Sequence, residues 1–314
     1  MLNTSLAAAS TGSELAAAST GSELAGQLDR GRPVPTEAAG VYLFPQSFED
    51  IVGALRVGIG RLAEPGRYRA MAIPPVISRA MIERAGYVSA FPQLLGTVHS
   101  YAGDARSWAK LSPLVAAGGD WHADQQVSDL VLLPATCYPV YAGLAGAELV
   151  DPVRFAVSGT CFRQEATSEP GRLRSFRMAE YVTAGPEAHC LAWRAEWLDT
   201  AGDWLTGLGL EVAVEVADDP FFGPARKLYQ AAQRSQELKL ELKVAVDPDK
   251  VQAVASANYH KDHFGEGFDF RFAGALGHTA CMAFGLERIA LALITRHGER
   301  LAGWPPDVRR LLDH

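Results

Sequence analysis

Apolar residues recur at two different periods along this chain, and both periods predict regular elements. In residues 47–66 they recur every three or four positions, as on one helix face, until Pro65-Gly66 ends the pattern. Ser47 opens the run and is the expected N-cap. Residues 238–246 instead alternate polar with apolar side chains, which predicts a half-buried strand. The chain should therefore mix helices with strands.

The remaining strand patterns predict mostly antiparallel pairing. Residues 67–78 look like a strand interrupted by Pro74-Pro75, which cannot both lie in a central ladder, so this segment should be an edge or an interface. Residues 151–165 and 175–185 predict two strands of a hairpin with a long, Gly- and Ser-containing tip.

Helical patterns lie between the strands in the second half of the chain. Residues 195–210 and 224–236 predict helices, with a strand at residues 210–217 between them. Residues 268–294 predict a strand, a glycine turn and an apolar helix. The fold class expected from this order is α+β, with an antiparallel sheet flanked by helices.

The N-terminal segment has a different composition from the rest. Residues 6–14 recur without change as residues 15–23, and the repeat is too rich in Ala and Ser to form a core. We expect a low-complexity, mobile tail over residues 1–35 and one catalytic domain over residues 36–314.

Composition excludes several classes of function. The chain has 314 residues and a formal net charge of −7, so no basic excess is present to bind a nucleic acid along a broad face. The four cysteines are scattered, which favours a reducing compartment. No apolar stretch approaches membrane-spanning length and no signal peptide precedes the core. We expect a cytoplasmic protein without a membrane partner.

Two arginines and a glutamate are the first candidates for chemistry. Arg163 and Glu165 would share one face of a strand, where a guanidinium can bind phosphate and a carboxylate can accept a hydrogen bond from an exocyclic amine. Arg288 would lie in the first turn of a helix and could reach a second phosphate. Taken singly, a cross-strand ion pair and a solvated helix arginine are the favoured interpretations.

The order of these segments resembles a known family. "FRQE", a loop, "RSFRMAEY", then "LKLELK" and "FGLERIAL" are similar to motif 2, the metal-binding strand and motif 3 of class II aminoacyl-tRNA synthetases, above all the catalytic core of the seryl enzyme. The segment around Pro74 resembles motif 1, the dimer-forming element, so a homodimer is expected. The resemblance covers about residues 45–300.

The resemblance implies an ATP site. It assigns Arg163 to the α-phosphate, Glu165 to the adenine amino group and Arg288 to the γ-phosphate. It also implies that Arg177 and Tyr181 hold ATP, the tyrosine by stacking on adenine, and that Glu241 binds magnesium. The full set of implied ATP-binding positions is Arg163, Glu165, Arg177, Tyr181, Glu241 and Arg288.

The resemblance also implies a zinc site. Cys137, Glu180 and Cys281 match the ligands of the atypical, methanogen-type seryl enzymes, and two thiolates with a carboxylate leave a fourth position open for substrate. Cys161 and Cys190 match no role and should be packing residues. His260 and His263 could form a metal pair on a helix, although a polar loop or partner contact is the favoured interpretation.

Within this family the chain is similar to the bacterial amino acid:carrier protein ligases. No sustained heptads precede the core, so we expect no tRNA-binding arm and no tRNA partner. The resemblance implies that ATP activates glycine or alanine as an adenylate, that Ser256 and Asn258 line the amino-acid pocket, and that a phosphopantetheine thiol accepts the product.

Residues 221–236 match the helix that contacts the carrier, and this helix has three basic residues, Arg226, Lys227 and Arg234. A shortened seryl-type tRNA ligase and a catalytically silent nucleotide-binding relative remain the alternatives.

Overall fold

The computed structural model describes residues 21–165 and 171–313. Residues 1–20 of the predicted tail lie outside the described residues. The rest of that segment is partly ordered against the body of the protein: it contains a short helix and a short strand, Val34 is buried, and Arg32 lies 3.2 Å from a carboxylate oxygen of Glu299. The domain boundary at residue 36 stays a prediction.

Helices and strands alternate along the described chain. The helices are α1 (Gly21–Leu28), α2 (Gln46–Gly60), α3 (Arg79–Arg84), α4 (Tyr87–Ala90), α5 (Ala105–Ala116), α6 (Tyr138–Gly143), α7 (Glu187–Gly207), α8 (Arg226–Ser235), α9 (His263–Phe268), α10 (Leu286–His297) and α11 (Pro306–Leu311). The strands are β1 (Val34–Pro35), β2 (Tyr42–Leu43), β3 (Arg69–Ile73), β4 (Val76–Ser78), β5 (Thr97–Tyr101), β6 (Gln125–Leu132), β7 (Glu148–Leu149), β8 (Val153–Phe162), β9 (Ser175–Gly185), β10 (Ala213–Val216), β11 (Lys239–Asp247), β12 (Lys250–Lys261), β13 (Arg271–Phe272), β14 (Ala275–Leu276) and β15 (His278–Gly285).

A seven-stranded sheet, in the order β10-β11-β12-β15-β9-β8-β3, organises the molecule. Its pairs are antiparallel except for β3 with β8, which confirms the predicted fold class. One face packs against α2, α7 and α10 in a core rich in tryptophan and aliphatic side chains. The other face packs partly against α3, α6 and α9 and leaves room for a cavity. The sheet therefore separates a closed core from an open working face.

Most predicted elements are present, with local corrections. The first long helix is α2, but it begins one residue before Ser47, its N-cap is Pro45, and no side chain caps it, so the predicted Ser47 cap is wrong. It also ends at Gly60, several residues before Pro65. The sequence pattern therefore gives the position of a helix, but not the residues at which it begins and ends.

The two prolines at Pro74-Pro75 have the predicted effect. Strand β3 ends just before them at the edge of the seven-stranded sheet, and β4 begins just after them in a separate sheet with β6 and β5. The hairpin of β8 and β9 is also present as predicted, with Phe162 opposite Ser175 at its tip.

Candidate functional site

A cavity of about 490 Å³ opens on the working face of the sheet. Its walls come from the β8–β9 hairpin, from β11, β12 and β15, from the first turn of α10, and from the region around α4 and α6. Its volume lies within the range of small-molecule sites. Most of the candidate residues line it: Cys137, Arg163, Glu165, Glu180, Glu241, Ser256, Asn258, Cys281 and Arg288.

Three arginines line one end of the cavity, together with Glu165, whose carboxylate lies 3.6 Å from the Arg172 guanidinium. Arg288 lies in the first turn of α10, as predicted, and its guanidinium donates to the carbonyl oxygens of Gly171 at 2.8 Å and Ala253 at 2.9 Å. Burial, and then the positive charges of Arg172 and Arg163, lowers the pKa of Arg288 to about 10. An anion placed among the three guanidiniums would relieve this repulsion, so this end is suited to phosphate.

Arg163 and Glu165 share the cavity but not a strand. Strand β8 ends at Phe162, so the prediction that they alternate on one strand is wrong; both follow it in the loop. The Arg163 Nε donates to the carbonyl oxygen of Pro134 at 3.1 Å, and its guanidinium lies 5.4 Å from the centre of the Phe176 ring. The loop presents both side chains to the same space despite the missing strand.

Arg177 and Tyr181 do not line the cavity. They project from the opposite face of β9, because strand residues of equal parity share a face. Tyr181 is buried, donates its hydroxyl proton to the Ile59 carbonyl oxygen at 2.7 Å and stacks on Trp197 with ring centres 4.0 Å apart. The prediction that Tyr181 stacks on adenine is therefore wrong.

The guanidinium of Arg177 is engaged by two carboxylates. It lies 2.6 Å from Glu287 and 2.5 Å from Glu49, and its backbone N–H also donates to Glu287 at 2.8 Å. With only 14% of its side chain exposed, Arg177 ties β9 to α10 and α2. The prediction that it holds ATP directly is corrected to a structural ion pair behind the sheet.

Phe176 is the aromatic side chain of β9 that sequence reasoning missed. It lines the cavity beside Arg163, on the same face as Met178 and Glu180. The signal was present in the sequence: if Glu180 faces the cavity, alternation selects the even-numbered residues of β9 and excludes Tyr181.

Cys137, Glu180 and Cys281 converge at the other end of the cavity. One ligand atom from each lies within 4.8 Å of the others, and all three residues are buried. Among the described residues they are the group that could hold a metal ion. They come from the start of α6, the middle of β9 and the middle of β15, which explains why their spacing in the chain carries no signal.

The electrostatics of this cluster suit a cation. Burial, and then the neighbouring Cys281, raises the pKa of Glu180 to about 8, although Thr136 donates to its carboxylate at 2.7 Å. The hydrogen bond from Cys137 lowers the pKa of Cys281, and hydrogen bonds from His260 and Asn258 lower it further. The same hydrogen bond, together with burial, raises the pKa of Cys137. Thiolate sulfur and carboxylate oxygen are both zinc ligands, so this donor set is compatible with zinc.

The polar strand β12 supplies the wall beside the cluster. Asn258 donates from Nδ2 to Ser256 Oγ at 3.2 Å and to Cys281 Sγ at 3.4 Å. His260, on the same strand, lies 3.8 Å from that sulfur, whereas His263 begins α9 and contacts the carbonyl oxygen of Ala85. The two histidines are therefore not a metal pair on one helix, and the proximity of His260 to the cluster was missed.

Glu241 projects from β11 into the cavity between the two ends. The Lys239 ammonium lies 3.1 Å from its carboxylate and 2.7 Å from that of Asp219. Gln233 of α8 donates to the other Asp219 oxygen at 2.8 Å. Glu241 is thus held by a network that reaches the exposed helix α8.

The two remaining cysteines lie in the core, as predicted. Cys161 packs on the working face and Cys190 in the closed core, both almost fully buried. Burial raises the pKa of each thiol. Within the part of the chain that the structure describes, no helix has the length and apolar character to cross a bilayer.

Comparisons with known proteins identify the family of this chain. The profile of the tRNA synthetase class II core domain (G, H, P, S and T) matches residues 121–297. The seryl-tRNA synthetase of M. kandleri, solved in complex with A. aeolicus tRNASec, has the same fold, with a TM-score of 0.76 over 92% of this chain and 59% of that chain at 20% identity. The P. horikoshii seryl-tRNA synthetase complexed with ATP aligns with a TM-score of 0.61 over 82% of this chain and 54% of that chain, at 17% identity.

Relatives at higher identity narrow the class. Two Bradyrhizobium diazoefficiens proteins named amino acid--(acyl-carrier-protein) ligase 1 and 2 are each 39% identical over 87% of this chain, covering 85% and 83% of their own lengths. A type-2 serine--tRNA ligase of Methanococcus aeolicus is 34% identical over 56% of this chain and 36% of its own length. The chain belongs to the class II synthetase core family and, within it, to the amino acid:carrier protein ligases.

The position of Tyr181 behind the sheet leads to a stability prediction. Tyr181→Phe removes the hydroxyl that donates to the Ile59 carbonyl oxygen, which keeps the Leu62 N–H as a donor at 3.0 Å, and the lost hydrogen bond should lower the free energy of unfolding by about 0.5–1.5 kcal/mol. Urea denaturation measures this change. Tyr42→Phe is the control, because the Tyr42 hydroxyl has no hydrogen bond among the described residues, and its cost should stay within about 0.5 kcal/mol. An unchanged stability for Tyr181→Phe would contradict this assignment.

Proposed function

We propose that this protein activates glycine or alanine with ATP and transfers the aminoacyl group to the phosphopantetheine thiol of a carrier protein. The observation that carries the proposal is a single cavity with three arginines at one end and a Cys-Glu-Cys cluster at the other. The two carrier-protein ligases that resemble the chain over most of its length support it.

The arginine end is suited to the triphosphate of ATP. Arg163 and Arg288 would neutralise the charge that builds on the phosphates as the amino acid's carboxylate oxygen attacks the α-phosphorus and pyrophosphate leaves. Phe176 offers a ring for the adenine base, and Glu165 an acceptor for its amino group. These groups act mainly by positioning the reactants in line.

Glu241 is the residue that would hold magnesium on the phosphates. Magnesium in nucleotide sites is usually bound by one or two carboxylates together with substrate oxygens and water. The Glu241 carboxylate faces the cavity, and one of its oxygens pairs with Lys239. The second oxygen is the one suited to the cation.

The cluster end is suited to the amino group of the substrate. Cys137, Glu180 and Cys281 would hold zinc, which supplies a Lewis-acid position for an uncharged amine. Asn258 and Ser256 border this position, and Phe264 with His260 limits the space beside it. A restricted space favours a small amino acid, and glycine and alanine differ by only one methyl group.

In the second step the pantetheine thiol replaces AMP. The sulfur attacks the carbonyl carbon of the adenylate, the carbon–sulfur bond forms, and AMP leaves with the electron pair of the carbon–oxygen bond. The thiol proton passes to solvent. The acceptor must therefore reach the centre of the cavity, between the cluster and the arginines.

Helix α8 is the surface suited to an acidic carrier. All its residues are described and none is buried, and Leu228 and Tyr229 are 69% and 53% exposed. Arg226 and Lys227 add positive charge, whereas Arg234 forms an ion pair with Asp218. A basic helix with an apolar centre can bind a helix of opposite charge by steering and by burial.

The other parts of the proposal rest on the resemblance and on the composition of the sequence. These are the homodimer, a cytoplasmic location and the absence of tRNA. The similarity of part of the chain to serine--tRNA ligases keeps tRNA charging as the second candidate acceptor reaction.

The first prediction tests the reaction. Incubation with ATP, magnesium, a glycine and alanine mixture and phosphopantetheinylated carrier should increase the carrier's intact mass by one aminoacyl group. Arg288→Gln should slow pyrophosphate exchange by about 100-fold or more, because charge stabilisation in the transition state is lost. Arg296→Gln, on the same helix outside the cavity, is the control.

Two outcomes of this experiment would count against the proposal. Pyrophosphate exchange without a loaded carrier, together with charging of tRNA, would favour the serine--tRNA ligase reaction. No exchange with any amino acid would favour a silent nucleotide-binding protein.

The second prediction concerns the metal. The purified protein should contain one zinc per chain, and Glu180→Gln should lose zinc and amino acid activation together, since a neutral amide is a poor ligand. Metal analysis and pyrophosphate exchange provide the readouts. Cys190→Ala, which removes a cysteine outside the cluster, should keep its zinc; a fully active, zinc-free Glu180→Gln protein would refute the role.

The third prediction concerns the carrier surface. Reversing the charges with Arg226→Glu and Lys227→Glu should raise the KM for the carrier by roughly tenfold, about 1.4 kcal/mol, and leave pyrophosphate exchange unchanged. Arg300→Glu combined with Arg310→Glu, two exposed arginines outside α8, provides the charge-matched control. An unchanged carrier KM in the double variant would exclude α8 as the docking surface.

A further inference from the structure

His260 lies beside the Cys-Glu-Cys cluster, and the reaction above uses it only as part of the cavity wall. Its Nδ1 is 3.0 Å from Thr279 Oγ1, and its Nε2 is 3.8 Å from Cys281 Sγ. Two aromatic rings meet its imidazole edge to face, Phe264 at 5.1 Å and Tyr141 at 5.7 Å between ring centres. A hydroxyl and two rings therefore fix the direction in which Nε2 points.

The chemistry of a metal-bound sulfur decides where the imidazole proton lies. A thiolate has no proton and can only accept a hydrogen bond, so the group facing it must be a donor. Nε2 then carries the proton, and Nδ1 accepts from the hydroxyl of Thr279, which is fully buried. Asn258 Nδ2 is the second donor to the same sulfur, at 3.4 Å.

We propose that His260 is a positioning residue for the metal site, which donates from Nε2 to the Cys281 thiolate while Thr279 holds the imidazole in the required tautomer. Groups that hydrogen-bond to a metal ligand orient it and slow its release from the metal. This inference rests on the proposed function only in that Cys281 binds zinc.

The chain contains a matched pair that lacks the cysteine cluster. The Thr183 hydroxyl donates to the Val153 carbonyl oxygen at 3.0 Å and accepts from His189 Nε2 at 2.9 Å, so a threonine contacts a partly buried histidine there too. His189 does not line the cavity. Replacing His189 therefore measures the effect of removing a threonine-bound histidine that does not lie beside the cysteine cluster.

The test is the rate at which the zinc-loaded, full-length protein releases zinc to an excess of a chromophoric chelator. His260→Phe should release zinc about 10–100-fold faster than the unmodified protein. His260→Gln, whose side-chain amide nitrogen can replace Nε2 as donor, should stay within about threefold, and His189→Phe should not change the rate. Thr279→Val, which keeps the shape and removes the hydroxyl, should release zinc faster than the unmodified protein.

A second readout follows the Cys281 sulfur directly. In the cobalt-substituted protein, His260→Phe should shift the sulfur-to-cobalt charge-transfer band, and His260→Gln should restore it. This spectrum does not depend on turnover. If His260→Phe folds poorly, Thr279→Val supplies both readouts with the imidazole in place.

The outcomes separate this inference from the proposed function. Zinc release from His260→Phe at the unmodified rate, or equally fast release from His260→Gln, would overturn the positioning role even if amino acid activation is found. A protein without stoichiometric zinc would overturn both the positioning role and the proposed metal site. The expected release rates in a protein that activates no amino acid would support the positioning role and reject the reaction.

Discussion

The alternation of side chains along β9 is the constraint on which the cavity depends. Phe176 and Glu180 face the cavity, whereas Tyr181 stacks on Trp197 in the closed core, with ring centres 4.0 Å apart. A slip of one residue would exchange the two faces. The aromatic core behind the sheet, together with the ion pairs of Arg177, therefore fixes the position of the Glu180 carboxylate in front of it.

One end of the cavity is suited to an anion and the other end to a cation. At one end, burial and the positive charges of Arg172 and Arg163 lower the pKa of Arg288, and a bound anion would offset the effect of those charges. A carboxyl group with a raised pKa and two sulfurs crowd the other end, which a cation would complete. A ligand pair with phosphates at one end and an amine near the metal at the other would satisfy both, and Glu241 lies between them. The network of Lys239, Asp219 and Gln233 joins this middle region to the exposed helix α8.

The sequence was a better guide to some site residues than to others. The order of the motifs was enough to select Arg163, Glu165, Glu241 and Arg288, and all four line the cavity. Their individual roles stay predictions. Tyr181 was selected by its place in a motif although its neighbour Glu180 was assigned to the same cavity, and adjacent strand residues point to opposite faces. Alternation alone would have selected Phe176.

By itself, the sequence determined the local elements, the α+β class and the paired strands of the β8–β9 hairpin, because periodicity, prolines and glycines act over a few residues. The tertiary structure decided which distant side chains meet: Cys137, Glu180 and Cys281 at one point, His260 beside them, and Arg172 with Arg163 and Arg288. It also decided that Ser47 caps no helix and that Arg177 is bound behind the sheet. Contacts between residues on different elements depend on strand order and register, which no local pattern encodes.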